Sequence, residues 1–187
     1  MTDHVLAETR AWVDRAVIGL QLCPFAKAPQ VKGQVRYVAS EAVDADALLS
    51  DLVDELKLLA TTAAERIETT LLVHPRVFGQ FEDHNDFLEI AEAALAALDL
   101  EGVIQIASFH PDYRFAASEP DDIANATNRS PYPTLHLLRE DSIERALASF
   151  ADPDSIFEAN IATMERLGPD GWAALRRRCR QDAELSA

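Results

Sequence analysis

Two apolar runs that each stop at His-Pro constrain this chain more than any other feature. Thr69-Thr70-Leu71-Leu72-Val73 runs into His74-Pro75, and Val103 to Phe109 runs into His110-Pro111. Proline brings no ladder donor and drives the residue before it out of helical backbone, so each pair ends a strand. A helical pattern precedes each run. Leu48, Leu49, Leu52, Val53, Leu56 and Leu59 follow a capping Asp44 or Asp46, and Phe87, Ile90, Ala91, Ala94, Leu95 and Leu98 follow a capping Asp83. Strands alternating with helices imply a mixed sheet with a largely parallel part and right-handed crossovers.

The remaining segments complete this frame. Residues 3–21 read as a helix with Val5, Trp12, Val13, Ala16, Val17 and Leu20 at helical spacing, ended by Pro24. Residues 24–34 read as loop, Val35 to Ser40 as the first strand and Thr134 to Leu138 as the fourth. Helices over about 141–150, 154–167 and 170–182 finish the chain, with Gly168-Pro169 as a stop and restart between the last two. The expected fold is α/β: a single domain over 1–187 with a mixed, mostly parallel four-stranded sheet, in the order helix, βαβαβ, long loop, β, C-terminal helices.

A formal net charge of −15 argues against nucleic acid and against an anionic membrane surface, because both need a positive field. The exception is local: Arg176, Arg177, Arg178 and Arg180 suit a solvated helix face. No apolar run approaches the ~18 residues of a membrane span, and MTDHVLAETRAW has no signal-peptide pattern. Cys23 and Cys179 make no disulfide framework, so a cytoplasmic, reduced protein is expected.

If the second and third strands are parallel, His74 and His110 emerge at the same carboxyl edge, where ligands bind in open α/β sheets. Strand-ending punctuation is the plainer explanation of the same two pairs. The connection from 110 to 133 exceeds an ordinary loop. Ser118 can cap a short helix through Glu119-Pro120-Asp121-Asp122. Asp121 or Asp122 then shares a face with Asn125, suited to a ligand or simply to a capped turn. Arg129, beside Asn128, has a fork that suits a carboxylate or phosphate, or a salt bridge within the chain. Ser130-Pro131-Tyr132-Pro133 fixes the start of the fourth strand, and Tyr132 joins the candidate contacts. His136 lies inside that strand, on the face of Thr134 and Leu138, and reads as a core histidine.

Cys23-Pro24-Phe25 resembles the nucleophile turn of some thioredoxin-like transferases, but here it follows a helix and precedes the first strand. The negative helix end opposes a thiolate, Lys27 is the only nearby cation, and a buried structural cysteine is the better reading. As a nucleophile Cys23 would need His74 or His110 within reach. His74, His84, His110, Asp83 and the Asp121-Asp122 pair offer metal ligands without metal-site spacing. The sequence has no phosphate-binding loop, dinucleotide fingerprint or serine elbow.

The segments LCPFAK (22–27), ETTLLVHP (68–75), QIASFHP (105–111) and TNRSPYPTLHLLRE (127–140) resemble an uncharacterised bacterial family, the domain of unknown function numbered 1415. The resemblance covers nearly the whole chain and implies a single-domain member, with no activity attached. From the residues themselves, the expectation is a small-molecule enzyme. His110 is the acid or base, His74 and Asp122 assist, and Cys23 is an optional nucleophile. Arg129, Asn128, Asn125, Tyr132 and Lys27 hold a small anionic ligand. The alternative is a non-catalytic ligand- or protein-binding module with an acidic surface. Cofactor and oligomeric state stay open.

Overall fold

The sheet that forms is mixed, in the order β1-β2-β4-β3. Its strands are β1 (Val35–Ala39), β2 (Thr69–Val73), β3 (Ile104–Phe109) and β4 (Thr134–Arg139) in a computed structural model that describes residues 2–116, 118–148 and 154–186. β1 lies parallel to β2, with Val35 opposite Thr69. β4 runs antiparallel to both of its neighbours, so His136 stands opposite Leu71 on one side and Ala107 on the other. Hence β1, β2 and β3 point one way and β4 the other. The α/β expectation is met, with direct parallel pairing confined to β1 and β2. The long connector lets β4 return between β2 and β3, which separates them.

Period-two alternation splits the strands into two faces. Leu72, Ile104, Leu135 and Leu137 pack against Leu48, Leu52, Leu56 and Leu59 of α3 (Ala45–Thr61) and Phe87, Ala91 and Leu95 of α4 (Phe81–Ala97). A fully buried leucine stabilises by roughly 2 kcal/mol, and Leu48, Leu52, Leu56, Leu59, Leu72, Leu135 and Leu137 are all fully buried on this face. On the other face Leu71 meets Ala11 and Trp12 of α1 (Thr2–Trp12) and Met164, Trp172 and Cys179 of α6 (Asp154–Ser186).

Several boundaries depart from the sequence pattern. The first helix changes pitch at Val13–Ile18, which is π-helical, with Gly19 N–H reaching Asp14 O at 3.0 Å. The expected loop 24–34 holds one short helix, α2 (Lys27–Val31). Asp44 caps α3 by accepting from Ala47 N–H at 2.9 Å. α4 starts ahead of Asp83, at Phe81, whose ring packs on His110 and Tyr113. The expected helix at 119–122 is displaced to a 3-10 turn, Ile123–Asn128, capped by Asp122 instead of Ser118. Ser118 is occupied by Asn125, to whose Oδ1 it donates at 2.7 Å. α5 spans Glu140–Leu147, and residues 149–150 of the helix expected there lie outside the described residues. α6 breaks at Gly168 (φ 67°), the left-handed backbone that glycine tolerates, and resumes at Pro169.

Arg139 ends β4 and ties it to α3. Its guanidinium donates to the carbonyls of Leu59, Thr62 and Ile67, covering the negative end of that helix. Arg139→Ala is expected to cost about 2–3 kcal/mol in urea unfolding, with Arg139→Lys restoring only part of it. A loss below about 0.5 kcal/mol would show that water replaces the guanidinium at these carbonyls.

Candidate functional site

Because β2 and β3 run in the same direction, His74 and His110 leave the sheet at one edge, with the start of β4 between them. His74 N–H donates to Pro133 O at 2.9 Å, and His110 N–H to Asn128 O at 3.3 Å. Both side chains continue the face that packs on α4. His84, in the first turn of α4, inserts between them, with ring centroids 5.2 Å from His74 and 5.3 Å from His110. All three histidines are 0% exposed.

The hydrogen bonds fix two of these tautomers. Asp112 N–H donates to His110 Nδ1 at 3.0 Å, so Nε2 carries the proton and donates to Phe78 O at 3.1 Å. His74 donates from Nδ1 to Val77 O at 3.2 Å. His74 Nε2 and both ring nitrogens of His84 are buried without partners. Burial, helped by the nearby His110 imidazole and opposed by the Val77 carbonyl, pushes His74 down to about 4. Burial and its two histidine neighbours push His84 down to about 3. Burial also lowers His110. The cluster is therefore neutral at pH 7. His110 has committed both nitrogens to backbone, which leaves it neither lone pair nor proton for a substrate. What the cluster does is hold the turn after β2 against the turn after β3. Among the described residues, no group of three or more His, Cys, Asp or Glu is placed to hold a metal ion.

The connector's polar side chains turn toward their own segment. Asn125 is fully buried; its Oδ1 accepts from Phe115 N–H at 3.0 Å and its Nδ2 donates to Glu119 O at 2.8 Å. Arg129 donates to Tyr113 O at 3.2 Å and Pro120 O at 2.8 Å. The Asn128 side chain hydrogen-bonds the Tyr113 hydroxyl. Tyr132 donates to Glu8 Oε2 at 2.7 Å, fastening the connector to α1. Asp122 is exposed at its cap, and Lys27 is exposed at the start of α2. So the structure brings His74 and His110 together with His84. The hydrogen bonds of Asp122, Asn125 and Arg129 stay within the connector instead.

The opposite face of the sheet is only partly covered. Between α1, α2 and α5 it opens into a cleft of ≈ 730 Å³. Strand register sets its floor in rows: Leu71, His136 and Ala107 in one, Thr69, Leu138 and Gln105 in the next. Trp12, Cys23, Phe25 and Phe109 contribute walls, and Val13 and Val17 of the π-helical turn line it too. Irregular helical turns of this kind recur at functional sites. Ala107 leaves space beside His136, where a larger residue would fill it.

His136 is the polar centre of this floor. Its Nε2 lies 2.7 Å from Thr69 Oγ1. The one hydroxyl proton of Thr69 goes to Leu137 O at 2.6 Å, so Oγ1 accepts from His136 Nε2–H. Nδ1 keeps a bare lone pair and has no hydrogen-bond partner among the described residues. Burial pushes this imidazole down to about 4, so it is neutral at pH 7. Cys23 lines the same cleft, away from His74 and His110. Burial raises its thiol, against the opposing pull of the Phe25 and Ala26 backbone N–H groups. The sequence pattern put His136 on the correct face; it carried no sign that this face is left open. His84 had a visible signal, its spacing with Phe87 and Ala91 on the buried stripe of α4.

Residues 4–174 match the family described as "Protein of unknown function (DUF1415)". No curated protein and no solved structure matches the chain.

A histidine depressed in the folded state binds its proton more readily when unfolded, near the ordinary value of about 6.5. Stability should therefore be complete above roughly pH 7 and fall as pH drops from about 6.5 toward 4. His74 alone, lowered to about 4, accounts for roughly 3 kcal/mol of that fall. Urea midpoints between about pH 7.5 and 5 test this above the main carboxylate range, and a flat profile contradicts it. His84→Leu removes two unpartnered buried nitrogens and should raise stability at neutral pH by about 1–2 kcal/mol. A comparable loss would show that those nitrogens have partners in solution.

Proposed function

The chain belongs to the DUF1415 family, which assigns it no activity, and we propose that it binds a small molecule in the cleft on the open face of the sheet. One observation carries the reading: His136 is held at Nε2 by Thr69 while Nδ1 stays unpaired in a largely apolar hollow. Ligand pockets combine a mostly apolar lining with a few polar groups in fixed orientation, and this cleft has that composition. His136 replaces His110 as the central imidazole of the reading because His110 has both nitrogens bonded to backbone, whereas His136 lines the cleft and keeps an unpaired nitrogen. The partner is neither nucleic acid nor a membrane surface, in keeping with the −15 charge. Among the described residues, no helix is long and apolar enough to cross a membrane.

A second reading is catalysis in the same cleft. Cys23 would be the nucleophile, His136 its base and Thr69 the group that orients the base. The backbone N–H groups of Phe25 and Ala26 at the Cys23 sulfur favour it, because they stabilise a thiolate. Burial of both the thiol and the imidazole favours the neutral pair and hence simple binding.

Ala107→Phe places a ring on the floor beside His136. Ligand-observed NMR with a fragment library should give hits on the native chain that weaken at least about tenfold, ~1.4 kcal/mol, in a folded Ala107→Phe variant. Equal binding to both proteins, or no hits at all, counts against the cleft.

A further inference from the structure

We infer that the cleft's ligand is a neutral, flat aromatic molecule carrying a hydrogen-bond donor, of the phenol or N–H heteroaromatic class. This rests on the cleft reading above and narrows it to a chemistry. The donor requirement comes from the tautomer. Thr69 Oγ1 donates to Leu137 O and accepts from His136 Nε2–H, so the group left for a ligand is the Nδ1 lone pair. A ligand acceptor there would oppose Nδ1 with no proton between them, whereas an O–H or N–H satisfies a nitrogen otherwise left without a protein partner.

The aromatic requirement comes from the walls. Phe109 packs edge-on against Trp12, with centroids 5.3 Å apart, and lies 6.0 Å from the His136 ring. Together with Phe25 these rings border a floor of strand residues in which Ala107 is the low point. A planar ring laid over Ala107 meets ring edges and faces, the arrangement aromatic pairs favour.

The neutral requirement comes from charge. The cations lining the cleft are Lys32 and Arg139. Lys32 is exposed, and Arg139 is committed to three backbone carbonyls. Glu68 lines the cleft as well, and the chain carries −15 overall. An anion would thus lose its hydration and gain no dedicated counter-charge. This turns the preference away from the small anionic ligand that Arg129 and Lys27 suggested.

Three probes separate these requirements: indole, 1-methylindole and indole-5-carboxylate, titrated by saturation-transfer NMR at neutral pH. Indole is expected to bind, 1-methylindole at least tenfold more weakly, and the carboxylate most weakly of all. In His136→Phe, indole and 1-methylindole should converge. Equal affinity of indole and 1-methylindole for the native chain overturns the donor requirement, and needs no variant to fold. A methyl penalty that survives in His136→Phe places the donor's partner elsewhere and also overturns it. Tighter binding of the carboxylate overturns the neutral class. If library fragments sensitive to Ala107→Phe bind while no indole does, the aromatic class falls and the cleft stands. If nothing binds, the cleft reading itself falls.

Discussion

The structure depends on one insertion: β4 enters between β2 and β3, against their direction, and is hydrogen-bonded on both sides. β2 and β3 thereby point the same way without touching, and their His-Pro ends reach one edge a strand apart. His136 is placed at mid-sheet, with Leu71 and Ala107 as its lateral neighbours. Arg139, at the far end of β4, secures the close of α3. The insertion requires the long connector, and closing it costs chain entropy. Asn125, Ser118, Arg129 and Tyr132 offset that cost by bonding the connector to itself and to α1.

The same residue type then does opposite things on the two faces. His110 meets a backbone donor at one nitrogen and a backbone acceptor at the other, and becomes a staple between turns. His74 and His84 complete a buried stack whose unpaired nitrogens make it sensitive to acid. His136 meets a threonine hydroxyl at one nitrogen only. Its second nitrogen is left over because α1 and α6 cover only part of that face. All of them are neutral at pH 7 for the same reason, burial, yet of these four only His136 lines the open cleft.

Much of the frame was legible in residue order. The short apolar runs placed all four strands, Asp44 was one of two caps expected for α3, and Gly168-Pro169 marked the break in α6. The shared edge for His74 and His110 followed from strand direction, although the strand between them could not be foreseen. Local spacing reports which face a residue occupies; it carries no information on what covers that face. That is why His136 read as a core residue. It is also why the connector's Asn and Arg read as ligand contacts. A buried asparagine tying a loop and one binding a substrate have the same sequence signature, and only the position of Phe115 N and Glu119 O separates them. The π-helical turn at 13–18 was read as part of one continuous helical stripe, because Val13, Val17, Ala16 and Leu20 keep i, i+4 spacing through it.

Ligand choice at the cleft turns on which nitrogen of His136 bears its proton. Long-range ¹⁵N–¹H NMR of the imidazoles, followed from neutral pH down to about 5, reads that directly. The hydrogen bonds at Thr69 predict a neutral His136 protonated at Nε2 throughout, with an unprotonated Nδ1 whose shift responds when a cleft ligand is added. A His136 protonated at Nδ1, or one that titrates near the ordinary imidazole value, would contradict that assignment.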